Sequence, residues 1–257
     1  MAIVNVTPDS FSDGGERLDP MQAIDDGLRF VSEGADIVDI GGESTRPGSQ
    51  PVSVEEELRR VLSVVERLAA QGVVVSIDTR RAAVARACLD AGARIVNDVA
   101  ALRDDPDLLP LVAERGVPVV LMHRRGRQED QYQGPDYRDV VEDVRSFLVE
   151  RAAVCEAAGV AREHIVFDPG IGFGKTPAEN LALVAGAGRL AEAGYPVLVG
   201  ASRKGFIGRL TGIKQPRLRD PASVWLAVEA ARNGASIVRV HDVAGTRQAL
   251  AVWAAMR

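Results

Sequence analysis

A single (β/α)8 TIM barrel spanning residues 1–257 is the fold this sequence predicts, on three observations. One phrase recurs at 34–38 (GADIV), 92–96 (GARIV) and 234–238 (GASIV), and internal repetition of this kind marks a supersecondary unit used more than once. Eight short apolar runs alternate with amphipathic stretches along the whole chain. The length of 257 residues is close to the roughly 250 typical of one such barrel.

The first apolar run is 2–6, and each of the other seven follows a glycine: Gly34, Gly72, Gly92, Gly116, Gly159, Gly194 or Gly234. The runs are continuously apolar and not alternating, as expected of parallel strands buried on both faces. Between them, stretches such as 54–70, 80–91, 137–158 and 222–233 place apolar residues every three or four positions, which predicts crossover helices. The glycine after each is the expected left-handed helix stop. Strand and helix alternating eight times favours a closed barrel over an open doubly wound sheet. The irregular segments 7–19, 40–51 and 123–136 then follow strands one, two and five, on the face where such barrels carry their active sites.

Composition narrows the function classes. A formal net charge of -5 gives no global positive field for nucleic acid. The cluster Arg124, Arg125 and Arg127, followed at once by Glu129 and Asp130, reads as a solvated loop. Cys88 and Cys155 lack the close spacing of a metal or redox pair and suggest a reducing compartment. No leader-like opening and no apolar run of membrane-spanning length is present, so a cytoplasmic protein is expected. His123, His164 and His241 are isolated, which disfavours zinc. No Gly-x-Ser-x-Gly occurs and neither cysteine ends a strand, so no covalent enzyme intermediate is expected.

Nearly every apolar run ends in a polar group: Asn5, Asp39, Asp78, Asn97 with Asp98, His123, Asp168, Ser202 to Lys204, and Arg239 with His241. In a barrel these share one rim. Buried Asp and Asn side chains are costly unless hydrogen-bonded, so the set implies a common polar ligand or a dense mutual network. Asp78, Asn97, Asp168 and Lys204 offer acceptors, amide donors and a cation suited to the edge of an amino-oxo-pyrimidine ring. Arg239, His241 and the start of the last helix offer charge and backbone N–H groups suited to a phosphate.

Residues 5–15 (NVTPDSFSDGG) and 41–48 (GGESTRPG) resemble the two signature loops of the dihydropteroate synthases. Further matches follow in order at 76–79 (SIDT), 95–98 (IVND), 122–123 (MH), 168–176 (DPGIGFGKT), 202–204 (SRK) and 239–243 (RVHDV). The resemblance covers essentially the whole chain. It implies a sulfonamide-target transferase of folate biosynthesis that joins 4-aminobenzoate to 6-hydroxymethyl-7,8-dihydropterin pyrophosphate, giving 7,8-dihydropteroate and pyrophosphate.

The same resemblance implies roles for individual residues. Asp78, Asp168 and Lys204 would be catalytic, and with Thr45, Asn97 and Met122 would hold the pterin. Asn5, Arg239 and His241 would bind pyrophosphate, Asn5 also as a ligand of Mg2+. Phe11, Ser12, Asp13, Thr45, Arg46, Pro47, Phe173 and Ser202 would form the aminobenzoate pocket and its closing loops. Whether Arg46 and Lys175 are site cations or solvated charges stays open, as does a structural against a ligand-contacting role for His123. A homodimer is implied, without support or contradiction from periodicity.

The sequence also departs from the family pattern. The chain starts inside strand one, without the segment that plugs the barrel floor in many members, so either Met1 is not the natural start or the floor is closed differently. Gly205 stands where many members have serine, which removes a hydroxyl from the aminobenzoate side and leaves sulfonamide response open. Two rivals remain: a methyltetrahydrofolate-dependent methyltransferase, which has no pyrophosphate to release, and a non-catalytic pterin-binding paralogue, against which the two complete loops argue.

Overall fold

The computed structural model describes residues 1–7, 20–45, 49–126 and 136–256. In chain order the elements are β1 (Ala2–Asn5), α1 (Pro20–Ser32), β2 (Val38–Gly41), α2 (Val54–Ala70), β3 (Val75–Asp78), α3 (Ala82–Asp90), β4 (Ile95–Asp98), α4 (Leu108–Arg115), β5 (Val119–Met122) and α5 (Val140–Ala157). They continue with β6 (Ile165–Asp168), α6 (Pro177–Ala185), α7 (Ala187–Ala191), β7 (Leu198–Val199), α8 (Gly205–Thr211), α9 (Asp220–Arg232), β8 (Ile237–Val238) and α10 (Val243–Ala255). The sixth crossover is thus a helix interrupted at Gly186, and the seventh carries two helices.

Local chemistry explains the boundaries. Ser53 accepts the Glu56 N–H at the start of α2, and Thr176 with Glu179 forms a reciprocal capping box before α6, each satisfying orphan donors of a first turn. At the other ends, all seven glycines singled out in the sequence have positive φ, from 59° to 107°. The recurring phrase proves to be a recurring hydrogen bond. In its three copies the alanine N–H of Ala35, Ala93 and Ala235 donates to the carbonyl five residues back, Phe30, Cys88 and Ala230, each at 2.9 Å. This is the six-to-one bond that closes a helix over a left-handed glycine.

Strands β1 to β6 pair in parallel in sequence order, and β7 pairs with β8. Single bridges join the two sheets at both seams, Phe167 with Val197 and Ala2 with Val240, so the ring of eight closes. The seams are narrow for a chemical reason at one of them. Pro196 has no N–H to donate, so β7 offers β6 its carbonyl, which takes the Phe167 N–H at 2.8 Å, but only half a ladder.

Side-chain alternation then builds two apolar layers. Val4, Val38, Ile40, Val75, Ile77, Val119, Leu121, Phe167 and Val199 pack with the helices into the main core. Their neighbours in sequence, Val120, Val166 and Leu198 with Met1, form a separate cluster against Ile37, Ile95 and Ile237. That cluster lines the barrel interior near the N-terminal ends of the strands. Two residues beyond Ile37, Ile95, Val166 and Ile237 the inward positions are polar, Asp39, Asn97, Asp168 and Arg239, and Asn5 and Asp78 end β1 and β3. The switch from apolar to polar along one inward-facing stripe is what makes the C-terminal mouth a site.

Candidate active site

Strand register places the first part of the site in a row. Asn5 aligns with Gly41, Gly41 with Asp78, and Asp78 with Asn97. From the opposite wall, Arg239 reaches across the barrel. Its Nε donates to Asp39 Oδ2 at 2.6 Å and its Nη2 to Asp78 Oδ2 at 2.8 Å. Asn97 Nδ2 donates to the same Asp39 oxygen at 3.0 Å. Asp39 is wholly buried, and its Oδ1 has no hydrogen-bond partner among the described residues.

One fully buried carboxylate, one partly buried carboxylate and one partly buried guanidinium make a strained electrostatic balance. Burial pushes the Asp78 carboxyl up to about 7, Asp39, Glu57 and Asp98 push the same way, and Arg239 pulls against them. Burial also works against the charge on Arg239, but Asp39 and Asp78 outweigh it and raise the guanidinium above its ordinary value. The Asp78 carboxyl is therefore held well above the ordinary carboxylate range, beside a cation that pulls it down.

The loop after β6 supplies the second part. Asp168 Oδ1 accepts the Gly170 N–H at 2.7 Å, and the Asp168 carbonyl accepts the His123 N–H at 2.9 Å. Burial raises the Asp168 pKa, opposed by the Gly170 N–H and by the charges of Lys204, Arg239 and Lys175. Gly170 has φ +67°, and a Cβ there would lie 1.8 Å from the His123 carbonyl oxygen, so only glycine fits this close passage. Phe173 packs with Met122 and Val99. The Lys204 ammonium stands 4.2 Å from the centre of the Phe173 ring, a cation–π contact.

The third part is the turn after β7. Arg203 has φ +58°, a costly conformation for a residue with a side chain. It is held there by two bonds from its guanidinium to Asp220, at 2.6 and 2.7 Å, and by its own N–H to Ser223 Oγ at 2.9 Å. The turn sets Ser202 and Lys204 on either side. Ser202 Oγ lies 2.9 Å from His241 Nδ1 and accepts the His241 N–H at 3.2 Å.

The structure thus gathers Asn5, Asp78, Asn97, Met122, Asp168, Phe173, Ser202, Lys204, Arg239 and His241 on one rim, with Thr45 half-buried four residues beyond β2. Phe11, Ser12, Asp13, Arg46 and Pro47 lie outside the described residues. The division made on the sequence is tied together here: Arg239, placed at the phosphate end, bonds Asp78, and His241 bonds Ser202. The last helix is less open to a phosphate than expected, because Asp242 accepts the Gly245 N–H at 2.9 Å and puts a carboxylate at that N-terminus.

His123 is buried against Phe147 and Tyr137, with ring centres 4.9 and 5.9 Å away, and burial drops its pKa to about 2, helped by Lys175 and Arg103. Its ring packs against both aromatics, and its Nδ1 has no hydrogen-bond partner among the described residues. Asp98 faces away from the mouth and accepts the N–H groups of Ala100 and Leu102 at 2.8 and 2.6 Å. Arg124 and Arg125 are not solvated: the first is buried against Asp104 at 2.5 Å, and the second pairs with Asp136 and lies over Tyr137. Asp39, placed by the sequence among the polar strand ends but given no role there, is the hub of the network.

Comparison with known proteins agrees with this geometry. The sequence pattern of the pterin binding enzymes matches residues 1–241. The dihydropteroate synthase of Mycobacterium leprae (strain TN) is 50% identical over 258 aligned residues, covering 98% of this chain and 91% of that one. The solved dihydropteroate synthase of Xanthomonas albilineans with 4-aminobenzoic acid superposes with a TM-score of 0.93 at 53% identity, over 100% of this chain and 92% of the other. Its complex with 7,8-dihydropteroate gives 0.90 at 50% identity, with the same coverage. The chain therefore belongs to the family of pterin binding enzymes.

Proposed function

We propose that this chain is a dihydropteroate synthase, condensing 6-hydroxymethyl-7,8-dihydropterin pyrophosphate with 4-aminobenzoate to 7,8-dihydropteroate and pyrophosphate. The observation that carries the reading is the polar layer at the barrel mouth, where buried acceptors, an amide and a cation converge from β3, β4, β6 and the turn after β7. A pterin presents adjacent N–H and NH2 donors beside a carbonyl, and such an edge meets carboxylates and an amide of this kind.

Departure of pyrophosphate leaves positive charge on a methylene conjugated to the ring, so two charges must be stabilised. Asp168, a buried carboxylate, faces the cationic side. Arg239 and His241 face the leaving group. Arg239 is already anchored to Asp39 and Asp78, so its position is paid for before substrate arrives. The arylamine is neutral at pH 7 and attacks without a strong base. Phe173 and the stem of Lys204 form one wall for it, with Ser202 nearby. The loops bearing Phe11, Ser12 and Asp13 and bearing Thr45, Arg46 and Pro47 would close over the cation and keep water out.

Among the described residues no three histidine, cysteine or acidic side chains converge as a metal cage. The single oxygen of Asn5 suits Mg2+ arriving with pyrophosphate, since this ion keeps phosphate and water ligands. When bound, it would neutralise charge on the leaving group.

We further place the protein in the cytoplasm as a homodimer. Cys88 and Cys155 are buried free thiols, in keeping with a reducing compartment. Leu210, Leu218, Trp225 and Val252 are exposed around α8 to α10, apolar surface of the kind a partner covers. The activity is tested by pyrophosphate release from dihydropterin pyrophosphate, with and without 4-aminobenzoate and Mg2+. Release that requires both is expected; release indifferent to the arylamine would break the assignment.

A further inference from the structure

We propose that Lys175 is a positioning residue for this reaction: its ammonium ties the end of β5 to the loop after β6, fixing Phe173 beside Lys204 and setting a buried positive charge within the loop that starts at Asp168. The inference rests on the activity proposed above. Lys175 is buried, and its Nζ donates to three carbonyls, Gly170 at 2.9 Å, Phe173 at 3.2 Å and His123 at 3.3 Å. An ammonium has three donors and no acceptor, so the three oxygens match it. Asn180 secures the stem of the clamp. Its Nδ2 donates to the Lys175 carbonyl at 3.2 Å, and its Oδ1 accepts the Gly172 N–H at 2.6 Å.

Among the described residues Lys175 makes no direct ion pair, and a buried cation without one is expensive to keep. The three-carbonyl tie itself needs the charged form, since a neutral amine has only two N–H donors. The groups whose charges bear on it are Asp168 and Glu179, which favour the ammonium, and Lys204 and Arg125, which oppose it; burial pulls its pKa down to about 7. Asp168 in turn is faced by Lys204, Arg239, Lys175 and the Gly170 N–H, all favouring the carboxylate against the burial that raises its pKa. Removing the Lys175 charge therefore raises the Asp168 pKa further, and the ionised form then requires a higher pH.

The test uses K175M and K175R, with steady-state kinetics for both substrates between about pH 5 and pH 7 and thermal melting of each protein. K175M is expected to lose about 100-fold in kcat/KM for dihydropterin pyrophosphate, with its acid limb moved up by about one pH unit. K175R keeps the charge, so its acid limb stays at the wild-type position. Its forked donors miss the three-carbonyl geometry, so KM for 4-aminobenzoate rises several-fold. A K175M profile with an unmoved limb, or a K175R limb displaced like that of K175M, overturns the proposal. If K175M does not fold, an unchanged KM for 4-aminobenzoate in K175R overturns it. Wild-type protein without arylamine-dependent release would sink the activity itself before any variant is read.

Discussion

Asp168→Asn is expected to lower kcat by about 10²–10³-fold, the loss seen when one preorganised group facing transition-state charge is removed. The exchange keeps shape and leaves an oxygen for the Gly170 N–H, which Asp168 Oδ1 accepts at 2.7 Å. It deletes only the negative charge. Because burial already works against the carboxylate, the variant is expected to melt within a few degrees of wild type. A large kinetic loss with a small change in Tm would mark an electrostatic role. Near-normal turnover would remove Asp168 from the reaction.

Arg239→Met is expected to be the most destabilising single change at the site, costing roughly 3–5 kcal/mol because it leaves the buried Asp39 carboxylate, with its partly buried neighbour Asp78, without a cation. The corresponding drop in Tm is on the order of 10 °C for a chain of this size. The pH dependence follows from Asp78, whose pKa is raised from 3.8 to about 7 by burial and by neighbouring acids, against the pull of Arg239. A carboxyl with a raised folded pKa contributes stability that is complete below its unfolded pKa and is lost as pH rises through the folded one. Deleting Arg239 removes the group that limits this loss. The gap in Tm between variant and wild type should therefore be wider at about pH 8 than at about pH 5. A gap of equal size at both, measured by calorimetry, would show that the Asp39–Arg239–Asp78 network does not carry the effect.

The parts of the fold that are set locally could be read from the residues alone. The three copies of the glycine phrase announced three equivalent helix stops, and the same six-to-one bond closes all of them. The polar strand ends could be read as one rim because period-two alternation turns Asp78, Asn97 and Asp168 inward together. Contacts over long separations were not legible. Arg239 and Asp39 are 200 positions apart, and nothing local says that a residue placed at the phosphate end will be held by the acids of β2 and β3. Lys175 shows the same limit from the other side. In a glycine-rich, polar segment a lysine has every appearance of a solvated charge, and only the return of the chain beside β5 brings three carbonyls to it. The short β7 was half legible, since Pro196 cannot donate to a ladder, yet its carbonyl still completes the seam.

The proposed reaction requires the barrel mouth to capture a pterin cation with an arylamine and to deny it to water. Identification of the product by mass, with pyrophosphate counted in the same reaction, tests this most directly. In the presence of 4-aminobenzoate, 7,8-dihydropteroate is expected in equal amount to pyrophosphate. Pyrophosphate accompanied only by 6-hydroxymethyl-7,8-dihydropterin, the product of capture by water, would contradict it.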